Sequence, residues 1–439
     1  MVALSRRTLL GAAFCGAALT PLTGCGSKTR AAQPPRAGDA VPSSGTLKVW
    51  CWDPAFNIYA MKEAAKIYRA SHPDVEVKVS ETPWDDIQTK LTTLALSMEP
   101  DRLPDIFLMQ NNAFQKNVTN YPELFADLTE TDLAFDEYPE SVVNYSTIEG
   151  RRYGVSFDSG TAINAMRLDM LEKASMSLDD FTDITWQEYL ERGTEVRAKT
   201  GKGIMSGVAG ETDLVMMMLQ SAGASLFDEQ GRAHISDNDV LTKVVDLYQK
   251  MLKAGVMVET NSWDQYIGSF VNSNVISTMN GAWILGSIQT AKDQAGRWDI
   301  TNLPKLDGFK EATNYSANGG SSWAVGAQGN TALAVDLLKE TFAGSTKLYD
   351  TVLPSSGALA NWTPAGKSAV YRTPQPFFNN QPIYSRIVEY STKVPANTTG
   401  VFYYEARDAV GAAIAKVVRG TPIADALADA QKNVEFAMK

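Results

Sequence analysis

The chain has 439 residues, of which 44% are hydrophobic and 21% are charged, and this composition excludes a wholly disordered protein. The length predicts two domains rather than one small core. The formal net charge is −10, and it becomes −12 once residues 1–24, whose only charges are Arg6 and Arg7, are removed. An acidic chain without a basic stretch argues against nucleic-acid binding.

The first 24 residues have the pattern of a bacterial export signal. The twin arginine Arg6-Arg7 precedes an apolar run too short to span a membrane as a mature helix. A Leu-Thr-Gly-Cys sequence ending at Cys25 then resembles the lipobox, in which the cysteine is lipidated and becomes the new N-terminus. We therefore predict an exported protein, anchored by lipid to the cell membrane and facing outside the cytoplasm. A plain secretory signal is the alternative, and the sequence does not separate Sec from twin-arginine export.

A short tether and the body follow the predicted lipidation site. Residues 25–45 are rich in Pro, Ser, Gly and Ala, as expected of a flexible tether. Cys15 would leave with the signal and Cys25 would be acylated, so the body would keep only Cys51. One thiol forms neither an internal disulfide nor a cysteine metal site, and Cys51 is predicted to be buried on the first strand.

The first part of the body alternates between strand and helix patterns, which predicts a parallel α/β sheet. The predicted elements are a strand at 46–52, a helix at 56–70, a strand at 75–79, a helix at 84–97 and a strand at 105–109. Ligands of such sheets bind beyond the carboxyl ends of the strands. Those ends carry aromatic and hydrogen-bonding side chains, namely Trp52, Asp53, Trp84, Asn111 and Asn112.

The stretch from Tyr153 to Ala174 organises the chain. Its pattern predicts a strand at 154–157, a polar break, and a second strand at 161–166. A strand that stops at Asp158 and restarts at once is suited to a crossing between two lobes, and Asp158 would then face the cleft between them. An ordinary hairpin corner with a solvated aspartate is the alternative.

The remaining pattern predicts a second set of elements. Thr185 and Glu188 form a capping box at a helix start. The triplet Met216–Met218 is predicted to pack in a core, since consecutive helical residues face different directions. Further strands are predicted at 203–209, at 275–279 and after Gly320, and helices at 214–222, 236–254, 262–271, 331–342, 405–418 and 422–438. The stretch 353–399 gives no clear element.

Four segments in order resemble the family 1 extracellular solute-binding proteins, the lipoprotein receptors of carbohydrate ABC importers, to which maltose-binding protein is distantly related. They are YGVSFDSGTAINAMRLDMLEKA, TWQEYLE, MNGAWILG and GGSSWAVG. The resemblance covers nearly all of residues 46–439. It implies an α/β fold of two lobes with a cleft, joined by crossings near 157–161, 317–321 and 352–356. Lobe 1 would comprise 46–157 and 319–353, and lobe 2 would comprise 158–318 and 354–439.

The resemblance also implies a function: a monomeric, non-enzymatic receptor that takes up a sugar in the cleft and delivers it to a membrane permease, with no cofactor or metal. Sugars offer an apolar face and a rim of hydroxyls, so aromatic platforms with polar neighbours suit them. By resemblance, Trp283 is the stacking aromatic and Asp158 accepts hydroxyl hydrogens. The candidate ligand-binding residues are Trp52, Asp53, Trp84, Asn111, Asn112, Asp158, Trp283, Gly320, Trp323 and Trp362.

Two alternatives stay open. A secreted glycoside hydrolase would need two opposed carboxylates, which Asp53 and Asp158 could supply. Against an enzyme, the chain has only His72 and His234 and no nucleophile-elbow motif. The same fold could instead bind a non-sugar solute, such as a polyamine or a phosphate ester.

Overall fold

The first lobe is built on a five-stranded sheet. A computed structural model describes residues 34–397 and 399–439; the predicted signal peptide, the lipidation of Cys25 and residues 26–33 of the tether lie outside them. The strand order is β2-β1-β3-β12-β6, with β1 parallel to β2 and β3, and β12 antiparallel to β3 and β6. Its strands are β1 (Gly45–Cys51), β2 (Val75–Glu81), β3 (Ile106–Gln110), β6 (Gly154–Asp158) and β12 (Ser321–Val325).

Both faces of this sheet are buried, which explains the unbroken apolar run of β3. Ile106 and Leu108 join one core cluster, and Phe107 and Met109 join another, because successive side chains of a strand point to opposite faces. The first cluster is covered by α1 (Asn57–Arg69), α11 (Thr331–Glu340) and α12 (Thr346–Ser356), and the second by α2 (Trp84–Ser97) and α3 (Phe114–Asn120). A short helix α4 (Glu140–Val143) and the hairpin β4 (Thr147–Ile148) and β5 (Arg151–Arg152) complete this part.

The second lobe is built on a smaller sheet, β10-β7-β11, beside the parallel pair β8-β9. A bridge between Gly203 and Val275 joins the two. The strands are β7 (Ala162–Arg167), β8 (Met205–Val208), β9 (Met257–Thr260), β10 (Ser277–Gly281) and β11 (Trp298–Thr301). The helices are α5 (Leu168–Lys173), α6 (Trp186–Thr200), α7 (Asp213–Ser221), α8 (Asp239–Lys253), α9 (Trp263–Val271), α10 (Leu285–Ile288), α13 (Ile383–Ser391), α14 (Tyr403–Val418) and α15 (Ile423–Ala437).

The chain crosses between the sheets where the sequence predicts it. β6 ends at Asp158 in the first sheet, and β7 begins at Ala162 in the second. The return passes through a bridge between Thr161 and Ala317 before β12 begins at Ser321. The stretch 353–365 contacts both lobes: Leu353 and Leu359 pack against the second, and Ala358, Trp362 and Ala365 pack in the first. The lobe bounds near residue 353 stay a prediction.

Most predicted elements are observed within a few residues of their expected ends. Thr185 caps α6 with both halves of the capping box, Cys51 is a buried free thiol, and Met217 and Met218 are core residues. One detail is wrong: Pro422 is the cap residue before α15 rather than its first helical residue. The helices α12 and α13 and the strand β11 were not predicted: Pro354 lies inside α12, α13 has only nine residues, and β11 spans only four positions.

No helix in the described part of the chain is long and apolar enough to cross a membrane.

Candidate functional site

The carboxyl ends of β1 and β2 bring two tryptophans together. Trp52 follows β1 directly, and Trp84 is the first residue of α2, after β2. Their ring centroids lie 5.5 Å apart at an interplanar angle of 59°, and both rings are partly exposed. Asp53 beside them caps the turn into α1, since its carboxylate accepts the amides of Ala55 and Phe56 at 2.8 and 3.0 Å. This pair is an aromatic surface on the first lobe.

Asn111 and Asn112, at the end of β3, have separate roles. Asn111 is 1% exposed; its amide donates to the Asp158 carbonyl at 3.4 Å and its oxygen accepts the Ser322 hydroxyl at 2.8 Å. It therefore ties β3 to the crossing. Asn112 donates to the Tyr403 hydroxyl at 3.2 Å, so it links the first lobe to α14 of the second.

Asp158 and Gly320 lie where two crossing segments contact each other. The Asp158 carboxylate accepts the Ser321 hydroxyl in a very short hydrogen bond and is 6% exposed. Gly320 has a φ of +87°, and a Cβ there would lie 2.7 Å from the Asn111 amide nitrogen and 3.0 Å from the Ser159 carbonyl. Only glycine allows this approach. Asp158 thus lies at the predicted crossing, with its carboxylate bonded to the second segment.

Burial raises the pKa of Asp158 from 3.8 to about 6, although hydrogen bonds from the Ser321 hydroxyl and the Ser321 and Gly160 amides favour its charged form. The folded pKa exceeds the unfolded one, so the unfolded state loses its proton first as the pH rises. We expect the free energy of unfolding to fall by about 2 kcal/mol, relative to Asp158→Asn, between pH 4 and pH 7. Urea unfolding of the wild type and of Asp158→Asn across this pH range measures the change.

The control for this prediction is Asp169→Asn. Burial raises the pKa of Asp169, but the hydrogen bond and charge of Arg167 lower it below its ordinary value. Its stabilising effect is therefore lost only as the pH falls through that lowered pKa. The free energy of unfolding of the wild type, relative to that of Asp169→Asn, should therefore not decline between pH 4 and pH 7. An equally flat difference at Asp158 would contradict the prediction.

The carboxyl ends of β9 and β10 supply a second aromatic cluster. Trp263 begins α9 just after β9, and Trp283 follows β10. Their ring centroids are 5.8 Å apart, and Tyr266 lies 5.1 Å from Trp263. Trp263 is 40% exposed, and Trp283 donates its ring N–H to the Asn318 carbonyl at 3.0 Å, beside the crossing. The second lobe therefore presents its own aromatic surface.

Two predicted ligand contacts are corrected by the fold. Trp323 is 0% exposed and packs against Phe157 and Phe342 inside the first lobe. Trp362 is 7% exposed, lies in the same core rather than in the second lobe, and donates its ring N–H to Glu137 at 2.7 Å. Neither ring has a free face to offer a ligand. Both stretches combine Trp with polar neighbours, and that combination occurs in cores as well as in sites.

Between the lobes lies a cleft of about 890 Å³. Trp84 and Gln110 line it from the first lobe. Its charged lining residues are five carboxylates and two cations, namely Asp85, Glu211, Asp213, Glu405 and Asp408 with Lys116 and Arg407. A narrower cavity of about 40 Å³ shares Glu211 and Asp213 with it and reaches Trp263 and Tyr266. The cleft is within the size range of small-molecule sites, and its lining is acidic.

Side chains of α14 close one end of the cleft. Tyr404 donates its hydroxyl to Gln110 at 2.8 Å, and Lys116 pairs with Glu405 at 2.6 Å. Both contacts join the first lobe to the second. They are polar and partly exposed, so they hold the lobes together weakly enough for a hinge motion.

A buried polar network orients the second-lobe side of the cleft. Asp213, the first residue of α7, pairs with Arg407 and accepts the Asn318 amide at 2.8 Å. Asn318 also donates to Asn280 at 2.7 Å, and Asn280 donates to the Tyr266 hydroxyl at 3.2 Å. The network joins the strand end at Asn280 to the crossing at Asn318. It can fix both the cleft wall and the hinge.

Sequence reasoning missed several cleft residues. Trp263, Asp213, Glu211, Tyr404 and Arg407 were not among the candidates. Glu211 could have been found, because it follows the predicted strand at 203–209, whereas the short strand β9 before Trp263 was not predicted. Tyr404 and Arg407 lie on a C-terminal helix whose position at the cleft depends on the tertiary fold, so no local signal marks them.

Comparisons with known proteins place this geometry in a family. Residues 63–351 match the model of the bacterial extracellular solute-binding proteins. A lactose-binding protein of Rhizobium radiobacter is 35% identical over 385 residues, which is 88% of this chain and 91% of the relative. An arabinooligosaccharide-binding protein of Bacillus subtilis is 25% identical over 66% of this chain and 68% of the relative.

Solved structures share the fold. The galacto-N-biose-/lacto-N-biose I-binding protein of an ABC transporter from Bifidobacterium longum superposes with a TM-score of 0.74 at 20% identity, covering 91% of this chain and 98% of that one. A family 1 extracellular solute-binding protein superposes with a TM-score of 0.74 at 21% identity, covering 90% and 100%. The predicted α/β fold of two lobes is therefore confirmed.

Proposed function

Since this chain belongs to the bacterial extracellular solute-binding proteins, we propose that it binds a sugar or oligosaccharide between its lobes and delivers it to an ABC importer permease. The family match confirms the resemblance inferred from the four motifs, and with it the prediction of a binding protein rather than an enzyme. The predicted lipid anchor at Cys25, the export of the chain and its monomeric state belong to this proposal.

One observation carries the sugar proposal: each lobe presents a tryptophan pair at its strand ends, with carboxylates and amides around the cleft. The Trp52–Trp84 and Trp263–Trp283 pairs offer flat apolar surfaces, to which the C–H faces of a pyranose ring are complementary. The surrounding polar side chains suit hydroxyl groups. The name of the Rhizobium relative supports starting with lactose and other galactosides.

The acidic lining makes a cationic solute the second candidate. Asp213 pairs with Arg407 and Glu405 with Lys116, whereas Asp85, Glu211 and Asp408 have no ion-pair partner among the described residues. These carboxylates disfavour anionic ligands, including phosphate esters and uronic acids, and they could accept a polyamine.

A thermal-shift screen of the full chain tests both candidates. The panel contains lactose, galactose, arabinooligosaccharides, a galacturonate disaccharide, spermidine and glucose 6-phosphate. We expect a neutral sugar to stabilise the protein by about 2.7 kcal/mol at 100 times its Kd, since it binds only the folded state. We expect the uronate and the phosphate ester to give a smaller shift.

Product analysis completes the screen. Chromatography of the lactose sample after a long incubation should show intact lactose, because a receptor returns its ligand unchanged. A thermal shift with spermidine alone would mean that the ligand is a cation and not a sugar. Accumulation of galactose would show hydrolysis of lactose and would contradict the function as a receptor.

A further inference from the structure

A cluster of His72, Asp336 and Glu340 lies on the first lobe, and none of the three lines the interlobe cleft. His72 follows α1, and the two carboxylates are four residues apart in α11, so they share one face of that helix. One ligating atom from each residue lies within 4.8 Å of the others. We propose that these three side chains bind a divalent transition-metal ion of the Zn²⁺ type.

The His72 ring is held in place by Tyr68. The two rings stack with centroids 4.0 Å apart and planes within 10°, and His72 Nδ1 lies 3.3 Å from the Tyr68 carbonyl. Nδ1 also lies 3.1 Å from the Ser71 hydroxyl; in the tautomer that carries its proton on Nδ1, facing these two oxygens, the lone pair of Nε2 is free. Metal-binding histidines are oriented in this way by a backbone carbonyl behind the ring.

The free nitrogen faces a carboxylate at a distance that suits a shared cation. His72 Nε2 lies 3.6 Å from Asp336 Oδ2. This separation is too long for a strong hydrogen bond, and a lone pair opposite a carboxylate oxygen is repulsive without a cation between them. Two ligand atoms bound to zinc at about 2.0–2.1 Å with tetrahedral angles lie about 3.3 Å apart, so a shift of a few tenths of an ångström brings His72 Nε2 and Asp336 to that separation. Glu340 Oε2 lies 3.6 Å from Nδ1 of the same ring, so its side chain must turn toward Nε2 to complete the site.

Both carboxylates also have supporting hydrogen bonds. The Tyr68 hydroxyl donates to Asp336 Oδ2 at 2.6 Å, and the Ser71 hydroxyl donates to Glu340 Oε2 at 3.2 Å. Such outer partners orient metal-binding carboxylates. The side chains of His72, Asp336 and Glu340 are 19%, 18% and 41% exposed, so an ion can enter from solvent and keep a water ligand.

The donor set selects the kind of metal. One imidazole nitrogen and two carboxylates suit zinc and its neighbours, whereas calcium and magnesium require six or more oxygen ligands. The two negative charges compensate the charge of a divalent ion. A bound ion would join α1 to α11, two helices on the same face of the first sheet.

The test is equilibrium dialysis of the full chain, its thiols blocked with iodoacetamide, against ZnCl₂ in excess MgCl₂ at pH 7.5. We expect one Zn²⁺ per chain with a micromolar Kd, weakened at least 10-fold in His72→Ala. His234→Ala is the matched control, because His234, the other histidine of the chain, has one carboxylate nearby, Asp237 at 3.7 Å. We expect it to bind zinc like the wild type.

Glu340→Gln keeps the shape of the site and removes one charge, so it tests the site without risk to folding. We expect weaker zinc binding and no change in melting temperature in metal-free buffer. Absence of zinc binding by the wild type, or equal binding by the wild type, His72→Ala and Glu340→Gln, would overturn the proposal. In that case the cluster is a set of polar contacts between α11 and the end of α1 and binds no metal.

Discussion

Trp283→Ala is expected to weaken sugar binding by at least about 30-fold, which corresponds to about 2 kcal/mol. The ring stands at the carboxyl end of β10, 5.8 Å from Trp263, and borders a small cavity next to Asp158. Its removal takes away both a stacking surface and the platform on which Trp263 rests. Titration calorimetry with the sugar identified in the thermal-shift screen measures the change.

Trp283→Phe separates stacking from hinge support. The phenyl ring keeps an aromatic face but cannot donate to the Asn318 carbonyl, as the indole does at 3.0 Å. We expect an intermediate affinity. Phe436→Ala is the control, since Phe436 is 79% exposed on α15 and should leave binding unchanged. An unchanged affinity in a folded Trp283→Ala protein would mean that the ligand does not contact this ring.

Gly160→Ala is expected to lower the free energy of unfolding by at least about 3 kcal/mol. Gly160 has a φ of +64°, and a Cβ would lie 2.3 Å from the Asn318 carbonyl oxygen and 2.7 Å from the Gly320 nitrogen. Backbone strain and the clash with a second backbone segment each cost about 1–3 kcal/mol. Urea denaturation at pH 7 measures the loss.

The matched control is Gly150→Ala. Gly150 has a φ of +78°, in the turn between β4 and β5, but nothing lies within 4 Å of its Cβ position. It therefore reports backbone strain alone. The difference between the two variants measures how closely the crossing segments at 158–161 and 318–320 approach. Equal losses in the two proteins would mean that the segments separate at little cost.

The predictions for Trp283 and Gly160 concern one region, which serves both as ligand surface and as hinge. The Asn318 carbonyl lies close to Gly160 and accepts the Trp283 ring N–H, while its side chain donates to Asp213. The hinge, the aromatic surface of the second lobe and the polar network of the cleft therefore meet at one residue. A ligand that contacts Trp283 can thus influence the hinge directly, which is the differential interaction that lobe closure requires.

Local sequence determined the elements and the positions of several candidate residues. Apolar periodicity predicted β1, α1, α2 and β3 to within about two residues, because a strand buried on both faces and an amphipathic helix leave different patterns. The capping box at Thr185 could be recognised in the sequence because both of its hydrogen bonds join residues three positions apart. Chain order alone placed Trp52 and Trp84 at strand ends.

Tertiary structure decided which of those residues can meet a ligand. Trp84 and Trp323 both stand next to polar residues in the sequence, yet Trp84 lines the cleft and Trp323 is 0% exposed. Burial depends on which helices cover each face of a sheet, and that packing joins distant segments. The same reason explains why the pairing of Asp213 with Arg407 and the cluster of His72 with Asp336 had no local signal. Sequence fixes which side chains follow each strand, whereas the packing of the lobes selects those that face the cleft.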